Sequence, residues 1–283
     1  MKSVGITSVV LLTLVLANPS AGEAQVLRPN ELCSDQPDET IATFEDANLE
    51  VRLRAALSIS DQDDLTCDLV AGLTGLTAPR AGIESLVGMQ NLTGLTILDL
   101  YTNSITDISA LSELTTLTEL RLQNAAITDI SALSGLTSLT TLHLDGNSIS
   151  DISALSALTG LTFLNLASNS ILDISALRAL TSLRQLYISS NPITDISALS
   201  GHTSLTVLGL RNDSISDINA LSGLTSLALL NLQDNPALTD IQPLIANAGL
   251  GAGRSVLLQS TSVSCTDVAL LQAKGVVVTS DCG

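Results

Sequence analysis

The chain has 283 residues, 45% of them hydrophobic, yet it carries no Trp and only two Phe and two Tyr. Its formal net charge is −17, so the basic footprint on which nucleic acids and anionic membrane surfaces depend is missing, and both are poor partner candidates: no nucleic acid is expected. An interior almost without aromatics lacks the large buried side chains of ordinary cores and points to stacked, equivalent layers of Leu and Ile.

The chain opens with Lys2, an apolar stretch from Val9 to Ala17, and small residues up to Ala24. Residues 1–24 read as a cleaved secretory signal, and the apolar stretch is too short to span a bilayer. The expectation is an exported, soluble protein without membrane insertion. Residues 25–88 are expected to form an N-terminal cap ending in a degenerate first repeat, "LTAPRAGIESLVGM" from Leu76. Within the cap, Phe44 to Leu57 set Phe44, Leu49, Val51, Leu53, Ala56 and Leu57 among charged residues, which predicts a short amphipathic helix lying on the first layer.

From residue 89 to 245 the sequence repeats with a step of 22, beginning "LTILDLYTNSITDISALSEL" at Leu95. Six such copies are followed by a seventh with one extra residue after Asn235. A fixed period of this size means a solenoid, and L-x-x-L-x-L-x-x-N-x-I is the leucine-rich repeat pattern. Alternation at Leu98 and Leu100 predicts a short strand with one face buried. Equivalent strands then stack in parallel into one curved sheet. The expected fold is therefore an α/β leucine-rich repeat solenoid, a right-handed coil with a concave parallel sheet and short helical turns on its convex side.

Two columns repeat within the coil. Asn103, Asn147, Asn169, Asn191 and Asn235 occupy one slot, broken by Ala125 and Asp213. An inward amide there pairs turn backbone that would otherwise be buried without a partner. Ala125 is then a weak rung unless Asn124 or water compensates. The second column is Asp107, Asp129, Asp151, Asp173, Asp195, Asp217 and Asp240, read as N-caps of the outer turns rather than as calcium ligands. No metal and no cofactor are expected.

Residues 246–283 are expected to form a C-terminal cap, with a short helix and a last strand at Val276 to Val278. Four cysteines, Cys33, Cys67, Cys265 and Cys282, allow three pairings. Seven or eight stacked strands hold the two caps more than roughly 30 Å apart, whereas bonded cysteines need α-carbons within about 7 Å. Cys33–Cys67 and Cys265–Cys282 are the pairs this geometry permits.

The repeat, with its "N-x-I-x-D-I-S-x-L" half, and the leader beginning "FEDANLEVRLRAAL" resemble the internalin family of bacterial secreted and surface proteins over roughly residues 44 to 245. The resemblance implies a horseshoe whose concave face grips another protein. Host-receptor-binding invasion proteins belong to that family, but the sortase signal and wall-binding modules found in some of its members are not seen here.

If the repeated letters specify the coil, information about a partner lies where the copies differ. The outward strand positions form three columns: Ile97, Glu119, Thr141, Phe163, Gln185, Val207 and Leu229; Asp99, Arg121, His143, Asn165, Tyr187, Gly209 and Asn231; and Tyr101, Gln123, Asp145, Ala167, Ser189, Arg211 and Gln233. They hold three of the four Phe and Tyr residues and one of the two His, and aromatics with Arg are typical binding anchors. The candidate partner-binding residues are Tyr101, Arg121, His143, Asp145, Phe163, Asn165, Gln185, Tyr187 and Arg211, with the centre running from Arg121 to Tyr187. His143 is expected to make contact pH-sensitive near its usual titration range. No nucleophile elbow, phosphate-cradling loop or ligand cluster accompanies His143 and Asp145, so no catalytic residues are assigned. The leading function is a monomeric protein-binding module whose partner is an extracellular or cell-surface protein. A structural envelope or matrix component and a carbohydrate-binding protein are the alternatives.

Overall fold

The computed structural model describes residues 25–282; the expected signal segment, residues 1–24, lies outside them. Ten strands form a single curved open sheet in which every neighbour is parallel and follows in chain order. They are β1 (Gly75–Thr77), β2 (Ile97–Asp99), β3 (Glu119–Arg121), β4 (Thr141–His143), β5 (Phe163–Asn165), β6 (Gln185–Tyr187), β7 (Val207–Gly209), β8 (Leu229–Asn231), β9 (Ser255–Leu257) and β10 (Val277–Thr279).

Each turn of the coil is held by the same side chains. In the first full repeat Leu95, Leu98, Leu100, Ile105, Ile108, Leu111 and Leu114 are all buried, and their counterparts 22 residues on are buried too. Because each layer places the same aliphatic at the same height, the stack reaches close packing without aromatics to bridge irregular gaps. Burial of such a side chain contributes about 1.5–3 kcal/mol. The register Leu98↔Leu120, Leu120↔Leu142 and Leu142↔Leu164 keeps the spine in line.

The asparagine column works as a zipper. In a regular rung the amide oxygen accepts a backbone N–H from the preceding turn, as when Asn169 Oδ1 accepts from Ile149 at 3.0 Å. Its nitrogen donates to two carbonyls, Leu144 and Leu166, each at 3.0 Å. Leu144 O also accepts from Asn147 and Leu166 O from Asn191, so successive amides share carbonyls along the stack. Ala125 has no group to join this chain, and Asn124 is exposed with positive φ, so the rung there is weak.

On the convex side the outer segments are single 3-10 turns such as Ser109–Leu111 and Ser131–Leu133. The aspartate column sits one residue earlier than a true N-cap. Asp107 Oδ1 accepts from Ser109 N–H at 2.8 Å and Asp129 Oδ1 from Ser131 at 2.8 Å, the i to i+2 bond of an Asx turn. The carboxylates therefore serve the turn backbone as expected, with the N-cap position itself filled by Ile108 or Ile130.

Both ends of the stack are covered. Helix α1 (Ala47–Leu57) lies over β1 with Leu49 and Leu53 buried. It is capped by Asp46, whose carboxylate accepts from Asn48, Leu49, Glu84 and Ser85 and so ties the helix to the first turn. The expected helical face needs correction: Val51 points to solvent at 59% exposure, and Phe44 is buried ahead of the helix. Asp46 starts the helix late, and the one-sided stripe from Leu49 to Leu53 leaves Val51 outside. A short α2 (Cys67–Ala71) follows, and Cys67 bonds Cys33 with α-carbons 5.4 Å apart. At the other end α3 (Gln242–Ala246) and α4 (Cys265–Ala273) replace the 3-10 turns, and Cys265 bonds Cys282, also at 5.4 Å.

The sheet runs further than seven or eight strands because the C-terminal segment continues the coil. Val256 and Leu258 take the buried strand positions, and Thr261 Oγ1 donates to Leu258 O at 2.7 Å in place of an asparagine amide. The last strand begins at Val277, with Val276 buried just before it.

Candidate partner-binding face

The strand register aligns the variable columns. Arg121, His143, Asn165 and Tyr187 face one another in succession across β3 to β6, and Thr141, Phe163 and Gln185 do the same one column over. Backbone bonds beyond the strand ends keep the third column aligned, as from Asn124 N–H to Asp145 O at 2.9 Å.

Three rings on consecutive strands form a track. His143 and Phe163 have centroids 4.5 Å apart at 30°, and Phe163 and Tyr187 are 5.7 Å apart at 42°. All three are half-buried, exposing ring area on the face. Tilted rings at these distances attract one another, which presets the surface before any ligand arrives. Room for Tyr187 comes from Gly209 on β7, where an added Cβ would lie 3.2 Å from Tyr187 Cδ1.

The other candidates surround or flank the track. Arg121 Nε donates to Glu119 Oε1 at 2.6 Å and Arg211 Nε to Asp234 Oδ2 at 2.7 Å. Asn165 Oδ1 accepts from Ala167 N–H at 3.1 Å, and Gln185 accepts weakly from the Tyr187 hydroxyl at 3.4 Å. Tyr101 stands apart on the β2 side under Arg80, whose guanidinium carbon lies 5.3 Å from the ring centre. The nine residues thus divide into a central group from Arg121 to Tyr187 and two outliers, Tyr101 and Arg211.

Electrostatics on the face are set by burial. Burial, then the Arg121 charge, pushes the His143 pKa below its usual value, against the opposing pull of Asp145, Glu119 and Asp99, which favours the neutral ring at pH 7. Burial also raises Asp145, only partly opposed by its own backbone N–H and by His143. Asp145 Oδ1 and the neighbouring Gln123 Oε1 are shielded from water with no hydrogen-bond donor.

Two further polar residues lie inside the coil: His202, which sequence reasoning missed, and Asp213, which the sequence shows only as a break in the asparagine slot. His202 is fully buried in a leucine column, level with Leu180 and Leu224, and its ring nitrogens face Leu199 O at 3.2 Å and Leu177 O at 3.1 Å. Burial lowers its pKa against the opposing pull of those carbonyls. The misfit of His in a leucine slot was the available signal. Asp213, in the asparagine slot, is 7% exposed and pushed up to about 7 by burial, only partly offset by the Asn191 N–H. Neither reaches the concave face, and both belong to the scaffold. Among the described residues no three His, Cys, Asp or Glu side chains gather as a metal site, and no helix is long and apolar enough to cross a membrane.

The repeat geometry and the variable inner face together define a leucine-rich repeat protein, and leucine rich repeat models match residues 115–157, 159–201 and 181–236. Among solved structures, internalin C2 from Listeria monocytogenes is 33% identical with a TM-score of 0.70, the match covering 77% of this chain and 93% of that one. The chain belongs to the internalin family. The functional domain of InlJ from Listeria monocytogenes is 24% identical with a TM-score of 0.56 over 84% of this chain and 60% of that one. A plant peptide hormone receptor, RGFR1 in complex with RGF2, is 20% identical with a TM-score of 0.60 over 76% of this chain and 37% of that one. These last two share the fold alone. No curated protein matches the sequence significantly.

Proposed function

We propose that this protein is a secreted, monomeric recognition module that binds an extracellular or cell-surface protein through its concave face and performs no chemistry of its own. The observation that carries this reading is the continuous track of His143, Phe163 and Tyr187 on three adjacent strands. In a chain with only four Phe and Tyr residues, two of them exposing ring area side by side serve no packing need of the spine. Aromatic surface held rigid in advance is what hot spots use, because little conformational freedom is lost on binding. The plant receptor neighbour, solved in complex with RGF2, is consistent with such use of the fold.

Export is supported by the two disulfides, which persist in oxidising compartments, and by the signal-like residues 1–24. We assign residues 25–88 to the N-terminal cap, 89–245 to the repeats and 246–283 to the C-terminal cap. The test is affinity capture from the native extracellular environment, comparing the wild type with Phe163→Ala/Tyr187→Ala and with a convex control, Leu172→Ala. Loss of the captured protein in the double variant alone is expected. Equal capture by all three places the site elsewhere.

A further inference from the structure

The proposed partner-binding face carries its own charge imbalance. Its two arginines are engaged within the face, Arg121 by Glu119 and Arg211 by Asp234, and Arg80 is stacked on Tyr101. Asp145 lies beside the aromatic track without a cationic partner among the described residues. Its Oδ1 has no donor, and neither has Oε1 of Gln123, the adjacent residue on the next strand. Water-shielded acceptors without donors are costly, and a cationic donor relieves both at once. Both side chains are only half-buried, so rotation of a terminal torsion presents these oxygens to an incoming group.

We propose, resting on the concave-face reading above, that the pair Asp145 and Gln123 is the receptor for an arginine side chain of the partner protein. Asp145 follows His143 by two residues on the same strand line, a rise of about 6.5 Å, and His143 stacks on Phe163. A long side chain therefore lays its aliphatic stem on the His143–Phe163 shelf while its head reaches Asp145. Gln123, one strand spacing away or about 4.8 Å along the sheet, gives a second acceptor that a planar fork meets with separate, pre-set N–H groups, where a flexible ammonium offers only a point charge. Charge complementarity at long range agrees, since a chain of net charge −17 attracts basic partners.

The test is NMR titration of the full mature protein at low ionic strength with N-acetyl-arginine methylamide, the lysine analogue and the uncharged norleucine analogue. The arginine probe is expected to shift the amides of Gln123, His143, Asp145 and Phe163, with millimolar affinity that weakens at 0.5 M salt. Asp145→Asn should weaken it about five- to tenfold, and Gln123→Leu should erase its advantage over lysine. Equal shifts from norleucine, or an unchanged Asp145→Asn titration, overturn the assignment; lysine binding as tightly as arginine overturns the bridging geometry. The captured partner separates the two levels: if Phe163→Ala/Tyr187→Ala abolishes capture while Asp145→Asn leaves it intact, the binding face stands and the arginine receptor falls.

Discussion

Replacing Asp213 by Asn should repair the asparagine zipper and remove a pH-dependent weakness. Asp213 Oδ1 accepts from Asn191 N–H at 2.9 Å, while its buried Oδ2 has no partner. Leu210 O and Ile188 O, which a regular rung would bridge, each keep one amide donor, from Asn235 and Asn191. An asparagine nitrogen at 213 can donate to both, because a carbonyl accepts two hydrogens. The acid itself is pushed up to about 7 from an ordinary value of 3.8. The sign follows from proton counting: between those two values the folded protein holds a proton that the unfolded chain has released, so folding stability falls as pH rises through this window and is lowest above 7. At about 1.4 kcal/mol per pH unit the ceiling is roughly 4 kcal/mol, and screening by nearby solvent reduces it to about 2 kcal/mol. Urea denaturation at pH 5, 6, 7 and 8 measures this. Asp213→Asn should raise the midpoint slightly at pH 5 and by the equivalent of about 2 kcal/mol at pH 8. A variant no more stable than wild type at pH 8, or a gain that does not change with pH, refutes the reasoning.

His202→Leu restores the leucine column. Because burial holds the His202 pKa below its unfolded value, the unfolded chain binds the extra proton as pH falls through about 6.5, and wild-type stability drops with it; thermal melts should show the variant's advantage largest at pH 5 and shrinking by pH 8. For Asp46, burial raises the pKa, but four backbone donors together outweigh that and lower it. Asp46→Ala should therefore cost about 1–2 kcal/mol in denaturant titrations at neutral pH and progressively less as the wild-type carboxylate is protonated in acid. The sequence holds two N-x-S/T acceptor motifs, "NLT" at Asn91 and "NDS" at Asn212; Asn91 is buried and bonded to Cys33 N–H and Glu31 O, whereas Asn212 is exposed. Glycoproteomic mass spectrometry after expression in a glycosylating host should find glycan at Asn212 alone.

How much of this was legible depends on whether a feature repeats. The spine, the zipper and the three outward columns are written several times over, so one residue out of register would be visible as a break in the copies. Both disulfides followed because a solenoid keeps its ends apart. Features present once were harder to read. The helix from Ala47 to Leu57 offers a single set of apolar residues, and Val51 falls on the solvent side because it stands two residues from both Leu49 and Leu53, about 200° round the helix. Strand β9 lacks the signature of a repeat because Thr261 replaces the asparagine that marks one. On the concave face, columns fix which residues are neighbours, but rotamers decide who pairs with whom. The engagement of Arg121 by Glu119 and of Arg80 by Tyr101 lies below the resolution of a repeat pattern, as does the donorless state of Asp145 Oδ1.

The claim on which the functional reading rests is that the aromatic track on the inner sheet face is where the partner sits. It is tested most directly by site-specific photo-crosslinking, placing p-benzoylphenylalanine at Phe163 on the track or at Leu172 on the convex side and irradiating the protein in the extracellular milieu proposed for it. Leu172 is 63% exposed, so it samples solvent at least as freely. The expected result is one discrete adduct from position 163, suppressed by excess unlabelled protein, and none from position 172. Adducts from position 172 alone, or the same pattern from both, contradict the claim.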